Sequence, residues 1–172
     1  ARGDIRSAKS LIEMNPVVLT AVNESGETAL DVAIKNGQLT IVQYLIEKGA
    51  SIQQRGIEVE APLLIAVKKG YTPIVELLLT HGANVNIKDK AGNSPLHYAC
   101  KKGDNEVVKM LVARGAAVDC SDQSGQTVLI KAAQNGDQKL VKYFLKKVTD
   151  PKQKDNNGLT AIDYPAENGY EK

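Results

Sequence analysis

Two histidines and two cysteines are the side chains of this 172-residue sequence from which a nucleophile, a base or a metal site would be drawn. A serine or cysteine nucleophile needs a base within hydrogen-bond reach and a third group to orient that base. Neither His97 nor His81, which stands just before Gly82, has such partners at an informative spacing, so no catalytic residue is expected. Cys100 and Cys120 are too few for a disulfide framework and lack the paired spacing of a zinc site. No metal is expected, and whether the two cysteines are bridged stays open. No Gly-Lys-Ser/Thr follows a strand, so the glycines build no phosphate loop and no cofactor is expected. Arg2-Gly3-Asp4 spells a cell-adhesion tripeptide, yet its Gly-Asp recurs as Gly103-Asp104 and Gly136-Asp137, and it reads as a turn.

Charge offers one further chemistry. Lys139, Lys142, Lys146, Lys147, Lys152 and Lys154 crowd one stretch and would suit phosphate. Single-strand binding also calls for aromatic or arginine platforms, which do not accompany them. With 22 basic and 20 acidic residues the formal charge is only +2, so nucleic-acid binding through residues 139–154 is a remote alternative. No apolar run is long enough to cross a bilayer, and membrane insertion is not expected.

These residues sit on a recurring frame. Thr28-Ala29-Leu30-Asp31, Ala61-Pro62-Leu63-Leu64, Ser94-Pro95-Leu96-His97, Thr127-Val128-Leu129-Ile130 and Thr160-Ala161-Ile162-Asp163 begin 33 residues apart, each followed by a glycine nine positions after its start. A fixed period in this range marks a stacked repeat, in which one unit cannot bury its apolar face without its neighbours. Within the unit that starts at Asp89, Asp89-Lys90-Ala91-Gly92 reads as a turn, Ser94-Pro95 as the start of a helix and Gly103 as its end. A second helix is predicted from about Glu106 to Arg114, with Val107, Val108, Leu111 and Val112 as its buried stripe. Ala99 and Cys100 face inward and are small enough for helix pairs to approach.

Ser94-Pro95-Leu96-His97, Gly103, Val108, Leu111, Gly115-Ala116 and Gly82-Ala83-Asn84-Val85-Asn86 resemble, in order, the pattern of the ankyrin repeat. The resemblance implies an all-α solenoid of stacked helix-turn-helix units with β-turn fingers, forming a single domain over residues 1–172. Its parts would be a half-repeat at 1–22, repeats at 23–55, 56–88, 89–121 and 122–154, and a partial repeat at 155–172. It further implies that fingertips and first helices line a concave groove for a partner protein, and that the histidine of the pattern, here His97, hydrogen-bonds the turn.

Departures from the pattern then point to contacts. The second turn has Gly56 where others have Asp or Asn, and Val59 where others have Gly26, Gly92, Gly125 and Gly158. Ile57 and Val59 on that finger would contribute about 1.5–3 kcal/mol each if buried by a partner, or would pack on a neighbouring finger instead. Fingertips supply Glu24, Glu27, Glu58 and Glu60, then Lys90 and Gln123; first helices supply Lys68 and Lys101 near their C-termini, where cations also suit the helix dipole. The position after the Leu-His pair reads Val32, Ile65, Tyr98, Lys131 and Tyr164, and Tyr98 is the strongest contact candidate. At the other end, Val148-Thr149-Asp150-Pro151 replaces the usual Gly-Ala exit, and Pro165 falls inside the last first helix, so the stack should loosen there.

The expected function is a non-enzymatic module that binds another protein as scaffold, inhibitor or immunity-type regulator, monomeric and without a small-molecule substrate. The alternative is the recognition domain of a larger enzyme or channel. A cytoplasmic location is expected; because Ala1 is not an initiating methionine, export with a removed signal peptide is the other option.

Overall fold

A computed structural model describes residues 5–53 and 59–164. Gly56, Ile57, Glu58, the Arg2-Gly3-Asp4 tripeptide and Pro165 lie outside the described residues. The chain divides into two compact units, Ala1–Asn84 and Val85–Lys172. In the first, α1 (Ile5–Met14) and a 3-10 turn at Pro16–Leu19 precede two helix pairs, α2 (Ala29–Lys35) with α3 (Leu39–Glu47) and α4 (Pro62–Lys69) with α5 (Thr72–Thr80). In the second, α6 (Pro95–Lys102) pairs with α7 (Asn105–Ala113), and α8 (Val128–Asn135) with α9 (Gln138–Leu145). Among the described residues there is no strand, only antiparallel bridges at Val22–Thr28 and Ser121–Thr127.

The first helices α2, α6 and α8 start where the sequence supplies a side-chain cap. Thr28 Oγ1 accepts the Asp31 amide while the Asp31 carboxylate accepts the Thr28 amide at 2.8 Å. Ser94 and His97 make the same reciprocal pair before α6, with the imidazole Nδ1 accepting from the Ser94 amide at 3.2 Å. Thr127 caps α8 through the Ile130 amide at 3.2 Å. Before α4 stands Ala61, which has no side-chain acceptor; Pro62 at the start of that helix removes one donor that would need it.

Packing follows the small residues. Leu96, Ala99 and Cys100 of α6 are each 0% exposed, and α8 lies against them with Val128, Ala132 and Ala133. Outside this layer, Val107, Val108 and Leu111 of α7 are buried, as are Leu140 and Phe144 of α9. Val112, expected in the α7 stripe, is only half-buried. In the first unit the corresponding layer is Ala33, Ile34, Ala66 and Val67, with Val42, Leu45, Val75 and Leu78 outside it.

Two expectations about the C-terminal end change. The exit after α9 is tied down, because Thr149 donates its amide to Asp119 Oδ1 at 2.7 Å and its hydroxyl to Oδ2 at 2.6 Å. The fifth first helix is started but not built among the described residues: Thr160 donates to Asp163 at 2.8 Å as a cap would, yet residues 161–164 form a turn. The sequence supplies a reason, since the residue before a proline is steered out of the helical region and Tyr164 precedes Pro165.

Candidate partner-binding surface

The four fingers that begin at Asn23, Asp89, Asp122 and Asp155 are each built from that one side chain. Asp122 Oδ1 accepts the amides of Ser124 at 2.9 Å and Gln126 at 3.0 Å, and Asn23, Asp89 and Asp155 repeat this pair of bonds at the same offsets. In the second unit successive fingers are also joined. Gln123 donates its amide to the Ala91 carbonyl at 2.9 Å, and Asn156 donates to the Ser124 carbonyl at 3.0 Å. The approach is so close that a Cβ on Gly125 would fall 2.7 Å from Asn156 Oδ1 and 2.9 Å from its amide nitrogen. Gly125 therefore serves both its positive φ of 76° and the spacing between fingers.

The second carboxylate oxygen of these aspartates explains the column that the sequence offered as contacts. Tyr98 donates its hydroxyl to Asp89 Oδ2 at 2.5 Å, Lys131 Nζ lies 2.9 Å from Asp122 Oδ2, and Tyr164 donates to Asp155. Each tie spans nine residues within one repeat. Where the turn residue is Asn23 or Gly56, with no carboxylate, the partner position holds apolar Val32 or Ile65. Sequence reading listed that column by itself; comparing it with the turn column nine residues earlier would have exposed the pairing.

A second column of ties joins finger to helix end. Glu27 forms an ion pair with Lys35, and Asn23 donates to Glu27 at 3.0 Å; Glu60 lies 2.5 Å from Lys68. The Lys35 ammonium, helped by Asn23, holds the Glu27 carboxyl below its usual range, and Glu27 in turn raises Lys35. Charges read as separate contacts are thus mutual partners.

Of the remaining candidates, Val59 is half-buried and packs toward the neighbouring finger, since a Cβ on Gly26 would stand 3.9 Å from its Cγ2. Glu24, Lys90, Lys101 and Gln123 are exposed. Ile57 and Glu58 lie outside the described residues. The lysines of 139–154 are exposed on α9 and the segment after it, with Lys147 5.1 Å from the centre of the Tyr143 ring.

The groups that looked chemically active are absorbed by the scaffold. His97 is 1% exposed, and its Nε2 is buried with no hydrogen bond of good geometry. Burial pushes the imidazole down to about 4; Asp122 and the Gln126 backbone pull it back only in part, and Lys131 opposes them. Nδ1 accepts from the Ser94 amide at the start of α6, so the bond expected to the turn is instead a cap on the helix. Cys100 and Cys120 are both free thiols, which closes the question of a bridge, and burial raises both above the usual thiol value. Among the described residues no cluster of His, Cys, Asp or Glu could hold a metal ion. No described helix is long and apolar enough to cross a membrane.

Similar proteins place these observations in a family. The chain resembles three proteins each named NAD-capped RNA hydrolase NUDT12, from Macaca fascicularis, Pongo abelii and Homo sapiens, being 43% identical to each over 49 residues. The matched stretch covers 28% of this chain and 11% of each relative, so the likeness is local. The family model described as ankyrin repeats matches three times, over residues 1–56, 55–122 and 100–172. With its capped helix pairs, glycine-turned fingers and matches along its whole length, the chain belongs to the ankyrin repeat family, whose members generally serve as protein-interaction modules.

Proposed function

We propose that this chain is a non-enzymatic module that binds a partner protein on the face formed by its fingertips and first helices. The observation that carries this reading is the bonding between fingers, Gln123 to Ala91 and Asn156 to Ser124. Fingers fixed to one another present Lys90 and Gln123 on backbone with little freedom left to lose, beside Lys101 on α6, which lowers the entropic cost of association. Among the described fingertip acids of the first unit, Glu24 is exposed, while Glu27 and Glu60 are engaged by lysines and contribute shape more than open charge. Tyr98 contributes through its ring edge, with its hydroxyl held by Asp89. Scaffold, inhibitor and immunity-type roles all use such a face.

Affinity capture with the native chain and with a Lys90→Glu, Lys101→Glu variant tests this. Both substitutions are exposed and leave the core intact. Loss of the captured proteins by the folded variant is the expected result; retention of every one of them would remove the proposal for this face.

A second reading is that the module serves a larger protein. The local match to NUDT12 hydrolases, confined to 11% of their length, favours it. Sequencing the full transcript checks it: an open reading frame confined to these repeats would end it.

A further inference from the structure

Beyond the finger face, the second unit carries a groove of about 690 Å³ between α8, α9 and the segment that follows them. Leu129, Val141 and Leu145 form its floor, and Lys142, Lys152 and Lys154 stand among its walls. Among the described residues no acidic side chain lines it, although Asp163 lies close enough for Lys154 to help hold its carboxyl below the ordinary value, after its bonds from Thr160. The repeat itself says what shape such a floor accepts. Thirty-three residues earlier, Leu96 and Val108 occupy the places of Leu129 and Val141 and are 0% exposed because α8 and its neighbours cover them, while Val112, in the place of Leu145, is half-buried. On α9 the floor stays open, with Leu145 51% exposed, and Ile162 at the far wall is 90% exposed.

We propose that this groove docks one amphipathic helix of a partner protein, with apolar residues at helical spacing toward the floor and carboxylates on its flanks toward the three lysines. The helical shape is argued from the equivalent covered face inside the unit, and the acid from the charge of the walls. In a chain whose formal charge is only +2, this concentration of lysine around an apolar floor selects against basic and neutral helices. The site is separate from the finger face and does not depend on it.

The test is fluorescence anisotropy with the full chain and a labelled 16-residue peptide carrying Leu at i, i+3, i+4 and i+7 and Glu at the flanking positions. Micromolar binding is expected, weakening with added salt. A Lys142→Glu, Lys154→Glu variant should bind about tenfold more weakly at low salt, and Leu145→Asp, a change at a half-exposed position, should abolish binding. A peptide with Lys in place of Glu should not bind. Equal binding of both peptides, or of the scrambled sequence, overturns the proposal. So does tighter binding of a single-stranded oligonucleotide that displaces the peptide, which would make the patch a nucleic-acid site. Dimerisation lost in Leu145→Asp would make a second copy the occupant, and binding seen only after residues 165–172 are removed would make it the chain's own terminus; either result overturns the proposal.

Discussion

Asp122 shows how one side chain can organise a whole finger. Its Oδ1 gathers two backbone amides and its Oδ2 takes the Lys131 ammonium, so burial, which would raise its carboxyl, is outweighed and the group stays below its usual range. Tyr98 and Asp89 make the neutral-donor version of the same tie. Tyr98→Phe should cost about 1–2 kcal/mol, and a double-mutant cycle with Asp89→Asn in urea should show coupling of comparable size. Additive losses would mean the 2.5 Å contact contributes nothing of its own. Glycines separate in the same way. Gly115 and Gly125 both have positive φ, but only at Gly125 would a methyl strike the next finger. Gly115→Ala should cost about 1 kcal/mol, and Gly125→Ala clearly more, measured as the shift in urea midpoint.

At the scale of the element, the α6–α8 contact is set by small side chains. Ala99, Cys100 and Ala132 are fully covered, which lets the two first helices approach. Cys100→Leu adds volume where nothing can yield and should destabilise by about 1–3 kcal/mol, whereas Cys100→Ala should be milder. Caps act at the same scale: Thr127→Ala leaves the Ile130 amide of α8 without its acceptor and should cost about 1 kcal/mol. The first helix α4, which starts from Ala61 without a side-chain cap, is the natural place for the opposite change. Ala61→Ser should be neutral or stabilising in thermal denaturation, provided that its added oxygen fits a site now 2% exposed.

At the scale of the whole molecule, pH couples these parts. His97 is kept neutral by burial, with its folded value near 4 against an ordinary 6.5. Between those values the unfolded chain binds a proton that the folded chain does not, so the free energy of unfolding falls as pH falls, by about 3 kcal/mol in all. Below that window the carboxylates of Glu27, Asp119, Asp122 and Asp155 take over. Their folded values are depressed, so their contribution is present above the ordinary carboxylate range and is lost as pH drops through the folded values. Urea midpoints at pH 7, 5.5 and 4.5 should decline steadily, and His97→Gln should flatten that part of the curve. A native curve that is flat from pH 7 to 4.5 would show that the imidazole is not held neutral.

Period, helix pairs, caps and buried stripe were legible in the amino-acid sequence, because each depends on residues within a few positions of one another and the pattern recurs five times in phase. Thr28, Ser94 and Thr127 were readable as helix starts for that reason, and Ala99 and Cys100 as inward-facing. What the sequence read one column at a time did not disclose was the use of polar side chains whose partners lie eight, nine or about thirty residues away. Glu27 with Lys35, Tyr98 with Asp89, and Asp119 with Thr149 look like free surface chemistry until the chain is folded, because only the turn geometry brings each pair within bonding distance. The open floor on α9 was hidden for the opposite reason. Val141 stands where Val42, Val75 and Val108 are fully buried, yet it is only half-buried, and whether such a residue is covered depends on what stacks against it in three dimensions, which the side chain itself does not encode.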